Sequence, residues 1–111
     1  MKIAYFAFNG KAMCFQHLLL NTLDLHQKGH QVKLIIEGEA VTLMQEMVES
    51  KNPVFSKVRE FNLIDCICKA CSAKLGVLEY NQTLGIPLDG EMNGHPPMER
   101  YLKEGYQIIT L

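Results

Sequence analysis

Apolar runs that alternate with helix-like segments constrain the fold of this chain more than any other sequence feature. Residues 2–8, 31–36, 63–68 and 106–111 are rich in the aliphatic, β-branched and aromatic side chains that are typical of buried strands. The segments between them carry apolar residues at helical spacing. Strands separated by helices require crossover connections, so we predict one α/β domain over residues 1–111 with a mostly parallel sheet of four or five strands.

The predicted helices lie between these strands, over residues 13–28, 40–50, 72–81 and 97–104. Asn52 followed by Pro53 is typical of the start of a further helix. Glycine and proline mark residues 84–94 as a loop, with a short strand over residues 86–88.

The carboxyl ends of the predicted strands are the place to look for a functional site, because open parallel sheets bind ligands there. The loops expected at that edge span residues 9–14, 37–40, 68–72 and 89–95. Two of these loops contain cysteine. We therefore predict a thiol site at this edge of the sheet.

Three of the four cysteines lie within six residues, where the third strand passes into the next helix. Cys66 and Cys68 are two residues apart, so we expect them to share one face of the strand. Cys66 lies in the middle of the strand and fits a small buried hydrophobe. Cys68 lies at the strand end, where either packing or chemistry would explain it.

Cys71 falls at the predicted start of the helix, next to Ser72 and close to Lys69 and Lys74. Unpaired amides around Cys71 to Ala73 and the nearby ammonium groups would both stabilise a thiolate. Such a thiolate can attack sulfane sulfur and carry it as a persulfide. We therefore predict that Cys71 is the reactive thiol and that Ser72 and Ala73 bind the anionic sulfur.

Two other arrangements use the same cysteines. Cys68 and Cys71 have the spacing of a redox dithiol, and Cys14, after the first strand, is an alternative second thiol or a packing residue. Zinc is a weaker interpretation, because structural sites usually need two cysteine or cysteine–histidine pairs and only one is present. Cys14, His17 or His95 would have to complete the tetrahedron, so we predict no metal ligand and no cofactor.

The remaining candidates lie in the other loops at this edge. Glu37 and Glu39 follow the second strand; such acids usually stabilise a helix start, but one of them is placed to accept a proton near the thiol. His95 would tune the thiol or bind an anionic substrate if its loop covers the edge. We assign Glu37, His95, Asn9 and Gly10 to substrate binding, although the glycines form no P-loop or dinucleotide motif.

Composition argues against several classes of partner. The chain is 48% hydrophobic and 21% charged with a net charge of −1, so bulk charge does not favour nucleic acid or a membrane surface. No segment has the roughly 18 uninterrupted apolar residues that a membrane-spanning helix needs. Four cysteines in so apolar a chain do not fit a secreted disulfide scaffold, so we expect a reduced, cytoplasmic protein.

The chain resembles the DsrE/DsrF-like family of small cytoplasmic sulfur-handling proteins over essentially its whole length. The resemblance rests on the opening strand and helix and on residues 36–40 (IEGEA), 71–77 (CSAKLGV) and 101–109 (YLKEGYQII). It implies a three-layer parallel α/β sandwich that assembles as trimers or hexamers, including assemblies with related subunits. Cys71 matches the persulfide-carrying cysteine of the family's sulfur-relay members.

Residues and resemblance together predict an intracellular sulfur carrier, or sulfurtransferase-like protein. Cys71 would take sulfane sulfur from a donor protein and pass it to an acceptor protein, with Cys68 or Cys14 as a second thiol. A non-catalytic oligomeric binding module with a small-anion or metal pocket is one alternative. A thiol–disulfide redox protein is the other.

Overall fold

The computed structural model, which describes residues 1–111, contains one five-stranded sheet in which every strand pairing is parallel. The strands are β1 (Lys2–Ala7), β2 (Gln31–Ile36), β3 (Ile64–Cys68), β4 (Leu88–Asp89) and β5 (Gln107–Thr110). Their spatial order is β4-β3-β2-β1-β5, so the chain steps outward from β1 to β4 and then returns to the other side of β1. The predicted α/β class with a parallel sheet is confirmed.

Six α-helices and one 3-10 helix connect the strands. They are α1 (Ala12–Gln27), the 3-10 helix (Gly38–Leu43), α2 (Met44–Glu49), α3 (Pro53–Glu60), α4 (Lys69–Lys74), α5 (Leu78–Gln82) and α6 (Met98–Lys103). None of these helices combines the length and the apolar character that crossing a membrane requires.

Local sequence signals determine where two of the helices begin or end. Just beyond α1 lies Gly29, whose φ of 89° is in the left-handed region that glycine favours. At the start of α3, Asn52 Oδ1 accepts hydrogen bonds from the amides of Val54 and Phe55 at 3.1 and 3.0 Å. Both helix boundaries were predicted from the sequence, and both are confirmed.

The predicted helix over residues 72–81 is wrong. Helix α4 already begins at Lys69, directly after β3, and ends at Lys74. The chain then turns at Gly76, whose φ is 76°, and α5 starts at Leu78. Because a left-handed residue interrupts a right-handed helix, the predicted single helix is divided into two short ones.

Two apolar clusters cover the two faces of the sheet. The larger has 20 buried residues and joins the sheet to α1, the 3-10 helix, α2 and α3. The smaller has 6 buried residues and joins the other face to α6, which contributes Tyr101. The result is the three-layer α/β sandwich expected from the resemblance, with one short helix in its thinner layer.

Cys66 and Cys68 do not share a face of β3, contrary to the expectation from their spacing. Cys66 packs in the smaller cluster, where its Sγ lies 3.6 Å from the Tyr101 hydroxyl, whereas Cys68 packs in the larger cluster. The alternation ends because Cys68 is also the N-cap of α4, so the chain leaves the pleat of the strand there. Cys66 therefore lies on the opposite side of the sheet from Cys68.

Candidate functional site

Four polar side chains converge at the carboxyl edge of the sheet, and their ligand atoms all lie within 4.8 Å of one another. Glu37 follows β2, Cys68 is the last residue of β3, Cys71 lies in α4, and His95 lies in the loop between β4 and α6. We call these four residues the thiol cluster. Three of the four loops expected at this edge thus contribute to one site.

The imidazole of His95 lies at the centre of the thiol cluster. Cys68 Sγ lies 3.1 Å from His95 Nδ1, and Cys71 Sγ lies 3.7 Å from the same nitrogen. That nitrogen is 3.5 Å from Glu37 Oε1, to which Cys71 Sγ donates a hydrogen bond at 3.3 Å. One ring nitrogen therefore contacts both sulfur atoms and the carboxylate.

The thiol cluster has a buried side and an accessible side. Cys68 is fully buried and Glu37 is 7% exposed, whereas Cys71 is half-buried and the His95 side chain is 39% exposed. Burial raises the pKa of the Cys68 thiol far above its usual range; the Cys71 amide opposes that rise and the Glu37 carboxylate adds to it. Of the two cysteines in the thiol cluster, Cys71 is therefore the one more accessible to a molecule in solution.

Cys68, and not Cys71, caps helix α4. The Cys68 sulfur accepts a hydrogen bond from the Cys71 amide at 3.4 Å, and Cys71 is the third residue of the helix. The expectation that Cys71 opens the helix is therefore wrong. Its own amide is directed at the neighbouring sulfur, so the two cysteines are joined through the backbone.

Ser72 is not part of the thiol cluster but holds the Cys68 backbone in place. The Ser72 hydroxyl is buried; it donates to the Cys68 carbonyl at 2.8 Å and accepts from Asn81 Nδ2 at 3.1 Å. Asn81 also donates to the Val41 carbonyl at 3.1 Å, whereas Ala73 is exposed on α4. Sequence reasoning missed Asn81, because nothing in the residues around it distinguishes a buried asparagine from a solvated one.

The loop that carries His95 is held against α4. The Ala70 amide donates to the Gly94 carbonyl at 2.8 Å, and Met92 and His95 exchange two backbone hydrogen bonds of 2.8 Å each. Gly94 has a φ of 96°, and a Cβ there would lie 2.7 Å from the Cβ of Ala70. The position of the imidazole therefore depends on a glycine at residue 94.

The structure does not bring Cys14, Asn9 or Gly10 into the thiol cluster. Cys14 is exposed near the start of α1. Asn9 and Gly10 line a separate cleft of about 430 Å³ together with Glu39. This cleft lies at the ends of β1 and β5, where the strand order reverses and α/β sheets commonly bind ligands.

The thiol cluster combines a nucleophile with proton acceptors and metal ligands. A half-buried thiol beside a carboxylate and an imidazole has groups within reach that can take its proton. The same thiols, imidazole and carboxylate are ligands for transition metals. The geometry permits both chemistries at the same four residues.

Comparisons with known proteins identify relatives and a shared fold. The uncharacterized protein MJ0733 of Methanocaldococcus jannaschii is 30% identical over 117 aligned residues, which cover 100% of this chain and 96% of the relative. An uncharacterized protein of Archaeoglobus fulgidus is 40% identical over 48 residues, covering 43% of this chain and 79% of that protein. No protein-family model matches the chain.

One solved structure has a similar architecture. It is a conserved protein of unknown function, BT1422 from Bacteroides thetaiotaomicron, with a TM-score of 0.70 and 18% sequence identity. The match covers 97% of this chain and 94% of the other. At this level of identity the similarity concerns the fold alone.

Proposed function

The chain belongs to the same family as the uncharacterized protein MJ0733 of Methanocaldococcus jannaschii, and we propose that this member is a sulfur carrier. Cys71 takes sulfane sulfur as a persulfide and passes it to a partner protein. The observation that supports this function is the setting of the Cys71 thiol. It is reachable from solution, hydrogen-bonded to Glu37 and 3.7 Å from His95.

The loading step needs no oxidant and no cofactor. The Cys71 thiol gives its proton to Glu37 or His95, and the resulting thiolate attacks the outer sulfur of a donor R–S–SH. A sulfur–sulfur bond forms on Cys71 while the bond between the two donor sulfurs breaks, and the donor leaves as R–SH after taking up one proton. Reversal of this step on an acceptor thiol delivers the sulfur.

Cys68 is less suited than Cys71 to meet a donor. Thiol–disulfide exchange would need one cysteine to attack and the other to leave as a thiolate. Cys68 is fully buried, and that burial raises the pKa of its thiol. The thiol cluster therefore favours carriage on Cys71 over a redox cycle of the Cys68–Cys71 pair.

Assembly and compartment belong to the same proposal. The DsrE/DsrF-like resemblance implies trimers or hexamers, and Leu102, Ile109 and Leu111 are apolar and exposed on or beside α6 and β5. Such side chains support contact with a second copy, which light scattering coupled to size-exclusion chromatography would detect. All four cysteines are free, which supports a reducing compartment such as the cytoplasm.

The proposal is tested by intact mass spectrometry. The full chain is reduced, freed of metal with a chelator and incubated with inorganic polysulfide. We expect the mass to rise by one sulfur atom in the wild type and in Cys14→Ser, and to stay unchanged in Cys71→Ser. An adduct that persists in Cys71→Ser would contradict sulfur carriage, as would loss of two hydrogens with no sulfur gained.

A further inference from the structure

The thiol cluster contains two thiols, one imidazole and one carboxylate, which are the side chains that bind zinc in proteins. The geometry points to a binding site for one zinc-class divalent metal ion held by Glu37, Cys68, Cys71 and His95. This metal site does not depend on the sulfur-carrier function. The sequence offered the Cys68–Cys71 pair with Cys14, His17 or His95 as a weaker zinc interpretation; Glu37 is the ligand that it did not identify.

Four distances between ligand atoms of the thiol cluster are close to those of a tetrahedral site, and all of its ligand atoms lie within 4.8 Å of one another. A zinc ion with bonds of about 2.0–2.3 Å holds its ligand atoms roughly 3.3–3.8 Å apart. The sulfur atoms lie 3.1 Å (Cys68) and 3.7 Å (Cys71) from His95 Nδ1. Glu37 Oε1 lies 3.3 Å from Cys71 Sγ and 3.5 Å from His95 Nδ1. Small side-chain movements would place these atoms around one ion.

The Glu37 carboxylate lacks the strong partners that a buried charge needs. It is 7% exposed; the hydrogen bond that it accepts from the Gly38 amide is long, at 3.3 Å, and its other donor is the Cys71 thiol, a weak hydrogen-bond donor, at 3.3 Å. His95 is the one basic side chain within 4.0 Å of it. Because a buried carboxylate is costly without a cation, a divalent ion would stabilise it here.

Backbone groups around the thiol cluster hold the proposed ligands in place. The Cys71 amide donates to Cys68 Sγ, and such a hydrogen bond favours the thiolate that binds metal. Ser72 donates to the Cys68 carbonyl, and Ala70 donates to the Gly94 carbonyl beside His95. Outer contacts of this kind orient the ligands in known metal sites.

All four positions of the proposed tetrahedron are taken by protein side chains, which is the arrangement of a closed, structural metal site. The ion would join the end of β2 at Glu37, the start of α4 at Cys68 and Cys71, and the loop that carries His95. Because this site forms only in the folded chain, metal binding should raise thermal stability.

Cobalt(II) is the probe for the test, because it accepts the same ligands as zinc and is coloured. The reduced, metal-free full chain is titrated with cobalt(II) under anaerobic conditions. We expect saturation at one equivalent, visible bands of tetrahedral cobalt and near-ultraviolet sulfur-to-cobalt bands, all removed by one equivalent of zinc. Excess zinc should raise the melting temperature by more than about 10 °C.

Variants decide whether the thiol cluster is the site. His95→Ala keeps both thiols and changes a half-exposed loop residue, so folding, checked by circular dichroism, should be preserved. We expect it to weaken cobalt binding by at least about 10-fold, and Cys14→Ser to leave binding unchanged.

The metal site is overturned if stoichiometric cobalt gives no tetrahedral spectrum, or if folded His95→Ala binds cobalt as tightly as the wild type. Loss of the spectrum in Cys14→Ser would overturn it as well. The assay contains no sulfane sulfur, so its outcome is separate from that of the sulfur-loading experiment.

Discussion

The Cys71 thiol donates a hydrogen bond to Glu37 Oε1 at 3.3 Å, although the two residues are 34 positions apart in the chain. This contact joins the accessible sulfur to a carboxylate that is nearly fully buried. The same pair is the proton donor and acceptor of the proposed sulfur loading and half of the proposed metal site. Glu37 is therefore the residue whose substitution tests most of the chemistry at once.

Glu37→Gln should slow sulfur loading without unfolding the protein. The amide keeps the shape of the side chain but accepts a proton poorly, so we expect the rate of persulfide formation on Cys71 to fall roughly 100-fold. The measurement is the time course of sulfur gain by mass spectrometry with inorganic polysulfide. Glu39→Gln is the matched control, because Glu39 lines the separate cleft beside Asn9 and Gly10. Equal rates of persulfide formation for the two variants would show that Glu37 does not take part in the reaction.

Metal and sulfur should compete for the thiol cluster, if both proposals hold. A metal ion on Cys71 Sγ occupies the electron pair that attacks sulfane sulfur, so one equivalent of zinc should lower sulfur loading by more than about 10-fold. A chelator added afterwards should restore it. The check is the fraction of persulfidated protein with zinc, without zinc and after chelation. If protein that holds one zinc ion is persulfidated to the same extent as metal-free protein, the metal and the sulfur bind at different sites.

How far the site can be predicted from sequence is illustrated by Glu37 and Cys68. Residues at the ends of strands are recognisable in the sequence, and this identified the correct edge of the sheet. Which strands lie next to each other in the sheet cannot be inferred from the residues of any one strand. In the structure Ile36 pairs with Ile67, so Glu37 and Cys68 leave adjacent strands side by side. Strand order, which depends on packing of the whole chain, was the missing information.

Other parts of the sequence were misleading for identifiable reasons. Cys14 follows β1 just as Cys71 follows β3, but it lies on the exposed surface of α1 and outside the thiol cluster. Ile64 and Cys66 lie on opposite faces of the sheet because the pairing of β3 with β2 shifts register between them, and Cys68 leaves the alternation because it is also a helix cap. Features set by local chemistry, such as the Asn52 cap, were predictable; those set by the junction of two elements were not.

Gly94→Ala should displace His95 and weaken metal binding. The new Cβ would meet the Ala70 Cβ at 2.7 Å and would sit at a φ of 96°, so we expect a loss of about 1–3 kcal/mol in unfolding free energy. Gly85→Ala is the control, because its φ is 73° but nothing lies within 4 Å of the added carbon. Both variants should lose stability from backbone strain.

Only Gly94→Ala should also lower cobalt affinity, by about 10-fold or more, because only that loop holds a ligand. Chemical denaturation of the metal-free chains gives the stability change, and cobalt titration gives the affinity. Equal cobalt affinities for Gly94→Ala and Gly85→Ala would show that the His95 loop does not need its contact with Ala70.

Cys66 should make the protein less stable at alkaline pH. Burial raises the pKa of its thiol from 9.0 to about 11, the Tyr101 hydrogen bond opposes the rise, and the Asp65 carboxylate adds to it. Below pH 9 the thiol is neutral in both the folded and unfolded chains, so its contribution to stability is fully present. Between pH 9 and 11 the unfolded chain releases the proton more readily than the folded one, so stability falls as pH rises through the folded pKa.

From pH 9 to pH 11 the free energy of unfolding of the wild type falls by about 2–3 kcal/mol through this thiol. The Cys66→Ala variant has no thiol at this position and does not show that decrease. We therefore expect Cys66→Ala to be less stable than the wild type at pH 8, because a buried sulfur is removed. The difference in unfolding free energy between the two proteins, which we call the gap, should become smaller by pH 11. Urea unfolding of both proteins in the presence of chelator measures the gap at each pH. Cys14→Ala is the control, since Cys14 is exposed and its gap to the wild type should not change. A gap for Cys66→Ala that stays constant from pH 8 to pH 11 would mean that the Cys66 thiol ionises as easily in the folded chain as in the unfolded one.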